Sequence, residues 1–218
     1  MSTLTLLRHG QAAFGAERYD ELSALGAEQA RATGAFFAAR GLAFSRVICG
    51  PRQRHQQTAR LAVGGAFEVD AALDEFAEGE QVLRAAVLRT GLAASGRPAM
   101  SRHEQLRLYA EQLELWAQGR ASIDGVLPPD AFRARASAWL SSITAAEQPR
   151  QHLLAVTSAG VIAALVCEAL RQDGEALARY MQPMRNASIT TLLFSGPRLA
   201  LQDFNASQHL PLALVTSI

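Results

Sequence analysis

Short apolar runs alternate with longer amphipathic stretches along this chain. Leu4-Thr5-Leu6-Leu7 forms the first run, and residues 3–7 read as a buried strand. Ser23 then opens a helical stretch to about Arg40, which Gly41 closes as a C-terminal cap. Phe44 to Cys49 reads as a second strand, centred on Val47 and Ile48, and Arg52 to Ala62 as a helix. Phe67-Glu68-Val69 predicts a short strand. From Phe76 to about Ser95 the pattern is helical, and Gly96-Arg97-Pro98 breaks it. Helical periodicity resumes through Leu106, Tyr109, Leu113 and Trp116. Pro128-Pro129-Asp130 starts another helix, running to about Ala145. Leu153 to Thr157 reads as a strand and Gly160 to Leu170 as a helix. Two late strands, Ser188 to Phe194 and Leu199 to Phe204, flank Ser195-Gly196-Pro197 and predict an edge hairpin.

Strands alternating with helices predict an α/β fold, a three-layer αβα sandwich with a mostly parallel central sheet. The helical block from about 77 to 127 interrupts the alternation and reads as a cap inserted into a single domain spanning 1–218. In open α/β sheets ligands bind beyond the carboxyl ends of strands. Arg8-His9, the Gly50–Arg54 loop and Thr157-Ser158 each follow an expected strand, so they are expected at one edge.

Composition narrows the chemistry. About half of the 218 residues are apolar (49%), enough for a full core. No apolar run reaches the roughly 18 residues a membrane span needs, and no signal peptide is expected. The formal charge of +1 has no basic tail behind it, which argues against nucleic acid or an anionic membrane as partner. All 21 fixed cations are Arg, which excludes a P-loop Lys and a Schiff base. Cys49 and Cys167, with no CxxC or Cys/His spacing, argue against structural zinc and fit a reducing cytoplasm. The stretch Cys49 to Arg54 superficially suggests a cysteine-phosphatase loop. That chemistry needs five residues between Cys and Arg, and here only four intervene.

The candidate chemistry begins where the first strand ends, at Arg8-His9-Gly10. Arg binds phosphate oxygens through a planar fork, and a neutral His can attack phosphorus. Gly lets backbone approach a ligand.

In these segments the chain resembles the histidine phosphatase superfamily, with its phosphoglycerate mutase-like fold. Leu6-Leu7-Arg8-His9-Gly10-Gln11 is similar to the family's opening motif, and residues 22–30 to its first-helix signature. Residues 51–59, from Pro51 to Ala59, are similar to the second-arginine motif, Leu73-Asp74-Glu75 to the proton-donor segment, and residues 186–190 with Asn205 to Leu210 to the closing strands. The resemblance spans about 3–210 outside the cap. It implies His9 as the nucleophile that carries a phosphohistidine, with Arg8 and Arg54 gripping the phosphoryl oxygens. It implies Glu75 as proton donor, with Asp74, Glu78 and Glu80 as neighbouring alternatives. Gln11 is expected on the substrate side of the pocket. Metal and other cofactors are expected to be absent, because Arg supplies the positive charge.

The resemblance departs at one place. Where the family carries a second catalytic His, this chain reads Val156-Thr157-Ser158-Ala159-Gly160. Ser158 can donate one hydrogen bond to a phosphoryl oxygen but brings no charge. His103, in the expected cap, and His55, next to Arg54, are candidate substitutes, with His55 expected to point elsewhere. Arg52 and Arg60 are expected to be solvated surface charges. The expected function is a cytoplasmic phosphomonoester hydrolase with reduced turnover, acting on a phosphorylated small molecule. The alternative is a catalytically silent binder of phosphate ligands with the same fold.

Overall fold

A computed structural model describes residues 1–13, 20–92, 100–145 and 150–217. Six strands form one sheet: β1 (Ser2–Arg8), β2 (Arg46–Cys49), β3 (Glu68–Val69), β4 (His152–Thr157), β5 (Ile189–Ser195) and β6 (Arg198–Ala206), in the order β3-β2-β4-β1-β5-β6. The first four are parallel, and the β5–β6 hairpin closes one edge antiparallel. The mostly parallel α/β architecture and the late hairpin are as the sequence predicts.

Seven α-helices are found among the described residues: α1 (Ala24–Ala39), α2 (Gln53–Val63), α3 (Gly79–Thr90), α4 (Arg102–Ala117), α5 (Pro129–Thr144), α6 (Ala159–Ala169) and α7 (Ala176–Met181). Successive strand residues point to opposite faces, so each strand feeds two cores. Leu4, Leu6, Ile48, Leu153, Ala155, Leu192 and Phe194 face one core, shared with Phe132 and Trp139 of α5, Val161 of α6 and Leu177 of α7. Leu7, Cys49, Leu154, Val156 and Ile189 face the other, against Phe37 of α1 and Ala59 and Ala62 of α2. Those two cores, one on each side of the sheet, make the three layers.

Helix ends follow their local chemistry. The Ser23 side chain accepts from Gly26 N–H and starts α1, while Gly41, at φ +61°, follows its C-terminal residue Arg40. The helix expected from Phe76 begins only at Gly79, because Glu78 and Gln81 form a capping box. Phe76 instead lies flat on Trp116, with ring centres 4.1 Å apart. Strand β2 begins at Arg46, two residues later than expected, and the short helix α7 has no sequence signal. The Gly96-Arg97-Pro98 break lies outside the described residues. Helices α3 and α4 pack together, with Arg89 Nε donating to Gln112 Oε1 at 2.8 Å. Tyr109 is half-buried and Trp116 fully buried in the core these helices share.

No helix among the described residues is long and apolar enough to cross a membrane.

Candidate active site

Strand β1 delivers Arg8 and His9 to the carboxyl edge of the sheet. His9 N–H donates to the Thr157 carbonyl at 2.9 Å, and Ala187 N–H donates to the His9 carbonyl at 3.1 Å. The residue is therefore pinned between the ends of β4 and β5. His9 Nδ1 lies 2.7 Å from the Gly10 carbonyl oxygen. A carbonyl only accepts, so this contact places the ring proton on Nδ1 and leaves the Nε2 lone pair open. Burial pushes His9 well below the ordinary histidine range, followed by the charges of Arg54, His55 and Arg8, while the Gly10 carbonyl pulls the other way. The imidazole is neutral at neutral pH.

Arg8 is buried, and its Nη1 donates to the Met184 carbonyl. Arg54 enters from the first turn of α2, also buried. Its Nη1 pairs with Asp20 at 2.7 Å and its Nη2 with Glu78 at 3.3 Å. Asp20 also receives Gln53 N–H at 2.9 Å, which ties the start of α2 to the same carboxylate.

Arg52 is not the solvated charge the sequence suggests. Its side chain is largely buried, pairs with Asp74 at 2.5 Å and with Glu78, and donates to the Glu75 carbonyl at 3.1 Å. Glu78 thus bridges two guanidinium groups. Arg60, on the last turn of the same helix, stays exposed, its guanidinium 5.8 Å from the centre of the Phe67 ring.

Glu75 sits against the start of α6. Its carboxylate accepts Gly160 N–H at 3.0 Å and Phe76 N–H at 3.0 Å. A Cβ on residue 160 would collide with Glu75 Oε1, so Gly160 makes the seat for this carboxylate.

His55 departs furthest from the sequence reading. It does not point elsewhere: it is fully buried, its ring centre 5.5 Å from that of His9. Its Nε2 lies 2.6 Å from Ser158 Oγ. The ring fits only because residue 50 has no side chain, since a Cβ there would strike Nδ1. Burial, then the Arg54 and Arg52 charges, push His55 well below its ordinary range. The Gly50 backbone pulls weakly the other way, although Nδ1 makes no hydrogen bond of normal geometry.

Ser158 is buried at the N-terminal boundary of α6 and makes no capping bond with its own side chain. Its hydroxyl oxygen lies against His55 Nε2 instead. The purely capping role that this position suggests is therefore absent.

Two other expected residues, Gln11 and His103, have different surroundings. Gln11 is held at α1: its N–H donates to Gln29 Oε1 at 2.8 Å, and its side-chain oxygen accepts from Ser23 Oγ at 3.0 Å. His103 is exposed on the first turn of α4. Cys49 is buried, with its thiol pushed up to about 11, which leaves it un-ionised at neutral pH. Among the described residues no group of three or more His, Cys, Asp or Glu is placed to hold a metal ion.

The sequence reasoning missed Asp20, Arg52 and the inward turn of His55. The buried residues of α2 are Arg54, His55, Thr58, Ala59 and Ala62. Their spacing is helical, but the first three are polar and leave no apolar signature.

Known proteins resemble this chain in sequence family and in fold. Residues 4–85 and 95–207 match the model of the histidine phosphatase superfamily (branch 1). No curated protein sequence matches the chain. Among solved structures, phosphoserine phosphatase from Entamoeba histolytica, in complex with phosphoserine, superposes with a TM-score of 0.70. It is 17% identical, over 97% of this chain and all of that one. Mycobacterial glucosyl-3-phosphoglycerate phosphatase, complexed with VO3, gives 0.68 at 24% identity, over 95% of this chain and all of that one. Alpha-ribazole phosphatase from Shigella flexneri gives 0.65 at 19% identity, over 94% and 96% of the two chains. At these identities the structural likeness speaks for the fold, whereas the family match covers most of the sequence. The chain belongs to the histidine phosphatase superfamily.

Proposed function

We propose that this protein hydrolyses phosphomonoesters through a phosphohistidine formed on His9. The observation that carries the reading is the His9 ring: buried, neutral, hydrogen-bonded through Nδ1 to Gly10, and lying in the field of Arg8 and Arg54. In this reading the Nε2 lone pair attacks phosphorus and the bond from phosphorus to the ester oxygen breaks. Glu75 gives that oxygen a proton. Water then attacks the phosphohistidine, returns a proton to Glu75, and the phosphorus–nitrogen bond breaks. Arg8 and Arg54 hold the phosphoryl oxygens, where charge-assisted bonds are about twice as strong as neutral ones. Arg54 must first exchange Asp20 and Glu78 for phosphate, so substrate competes with two carboxylates. Glu75 must turn one oxygen from a backbone N–H to the leaving group.

Ser158 stands, in this reading, where relatives carry a second catalytic His, and donates a hydrogen bond to the phosphoryl group without adding charge. Its partners are a phosphorylated small molecule or inorganic phosphate. The helices between about 77 and 127 act as the cap of a single domain and choose the substrate. Glu78, at the start of α3, joins that cap to Arg52 and Arg54. The phosphoserine and glucosyl-3-phosphoglycerate phosphatases of like fold make phosphorylated small metabolites the first panel to assay.

A second reading, a silent phosphate-ligand binder, is favoured by one observation: Ser158, which brings no charge, follows β4 where the first reading expects a second catalytic His. Assay with p-nitrophenyl phosphate and a metabolite panel separates the two. Turnover that His9→Ala lowers at least ~10³-fold supports hydrolysis through His9. Saturable phosphate binding with no turnover of any substrate supports the binder and contradicts the enzyme.

A further inference from the structure

His55 is a second imidazole buried beside the first, and no step above uses it. The contact that gives it meaning is the 2.6 Å approach of its Nε2 to Ser158 Oγ. A hydroxyl has one proton and can use it once. If Ser158 donates to His55, its oxygen turns only lone pairs toward an anion held by Arg8 and Arg54, which is repulsive. If His55 donates instead, the Ser158 proton is free for that anion. The Gly50 backbone favours a protonated His55 ring, although Nδ1 makes no hydrogen bond of normal geometry, so an anion held beside the ring sets which partner of the Nε2–Oγ contact donates.

We propose that, with a phosphoryl group bound, His55 is a positioning residue whose Nε2–H donates to Ser158 Oγ and so turns the hydroxyl proton onto a phosphoryl oxygen. The inference rests on reading the Arg8, His9 and Arg54 cluster as the phosphate site. The groups facing the His55 ring are His9 from the end of β1, Arg54 and Arg52 from the start of α2, and Ser158 from the end of β4. Burial first, and then the Arg54 and Arg52 charges, keep the ring neutral, and a phosphate dianion among those cations offsets part of their effect. Either the Nε2–H tautomer or an imidazolium then satisfies the proposal, because both donate from Nε2. No bond to phosphorus is made or broken by His55. Its imidazole stands behind the serine and sets the direction of a hydroxyl that carries no charge of its own.

The direct test is nitrogen NMR of the full chain labelled with ¹⁵N-histidine, titrated with inorganic phosphate. His55 signals are assigned by their loss in His55→Gln. Phosphate is expected to shift His9 and to leave His55 Nε2 protonated. In Ser158→Ala the response of His9 is expected to persist while that of His55 collapses. A His55 Nε2 that stays unprotonated while His9 responds overturns this inference and leaves the site reading standing. No response from His9 overturns both.

Kinetics give a second, independent measure. Ser158→Ala is expected to lower kcat about 10²- to 10³-fold with a smaller change in KM. His55→Ala added to it is expected to cost nothing further, because the two act as one unit. His55→Gln, whose amide can still donate toward Ser158, is expected to recover part of the kcat that His55→Ala loses. Losses that multiply in the double variant overturn the coupling. Should His55→Ala fail to fold, the Gln variant and the wild-type spectrum still decide.

Discussion

His9 and His55 are both buried, both pushed below the usual histidine range, and separated by 5.5 Å between ring centres. They differ in what holds them. His9 sits at a strand end, its Nδ1 bound to a backbone carbonyl that cannot reverse direction. His55 sits on a helix, its Nε2 against a hydroxyl that can donate or accept. The first arrangement fixes a tautomer and leaves a lone pair, which suits a nucleophile. The second leaves the direction of the hydrogen bond to be set by whatever binds nearby, which suits a relay. Two chemically identical side chains are thus given different surroundings by the groups they touch.

The largest effect that can break this contrast, after His9 itself, concerns the proposed proton donor. Glu75→Gln is expected to lower kcat about 10²- to 10⁴-fold, the usual range for a lost general acid. Glu78→Gln is expected to leave kcat within about tenfold and to tighten phosphate, because it removes a carboxylate competing for Arg54. Steady-state kinetics and phosphate inhibition check both. A larger kcat loss for Glu78→Gln would exchange their roles.

A steric change sharpens the His55 side. Gly50→Ala puts a methyl group into Nδ1 and toward the Leu73 carbonyl. Overpacking of this kind costs about 1–3 kcal/mol, read as a lower urea midpoint. Turnover is expected to fall with it, since the ring must leave Ser158. By the same reasoning Ser158→His alone is a poor rescue, because the His55 ring already fills the adjoining space. Only with His55→Ala does a new imidazole have room.

The smallest expected effect is on stability against pH. His9, His55 and His209 all have folded pKa values lowered chiefly by burial. The unfolded chain takes up protons first, near the ordinary histidine value, while the folded protein resists. Stability is therefore full above about pH 6.5 and falls as pH drops below it, until the folded values are reached. Urea midpoints at pH 7.5 and 5.5 measure this, and His55→Gln is expected to flatten the slope. A midpoint that rises on acidification contradicts the neutral, buried imidazoles.

Much of the fold was legible because its central elements are apolar runs and its first helix has recognisable caps. β1, β4 and α6 are buried runs, and Ser23 and Gly41 bracket α1 at the positions their chemistry dictates. The small elements were not. Helix α7 has only six residues, too short for a period to show. The site was legible where chemistry follows a strand end, as at Arg8 and His9. It was illegible on α2, where the inward face begins with Arg54, His55 and Thr58 and so mimics a solvated surface. Arg52 was misjudged for the same reason: its partners Asp74 and Glu78 come from a segment whose approach only the fold creates.

The most direct measurement is to quench the enzyme during turnover and locate the phosphoryl group by peptide mapping under conditions that preserve phosphohistidine. The expected result is phosphate on His9, absent in His9→Ala and accumulating in Glu75→Gln. Phosphate found on Ser158, or steady turnover with His9 never labelled, would contradict the account.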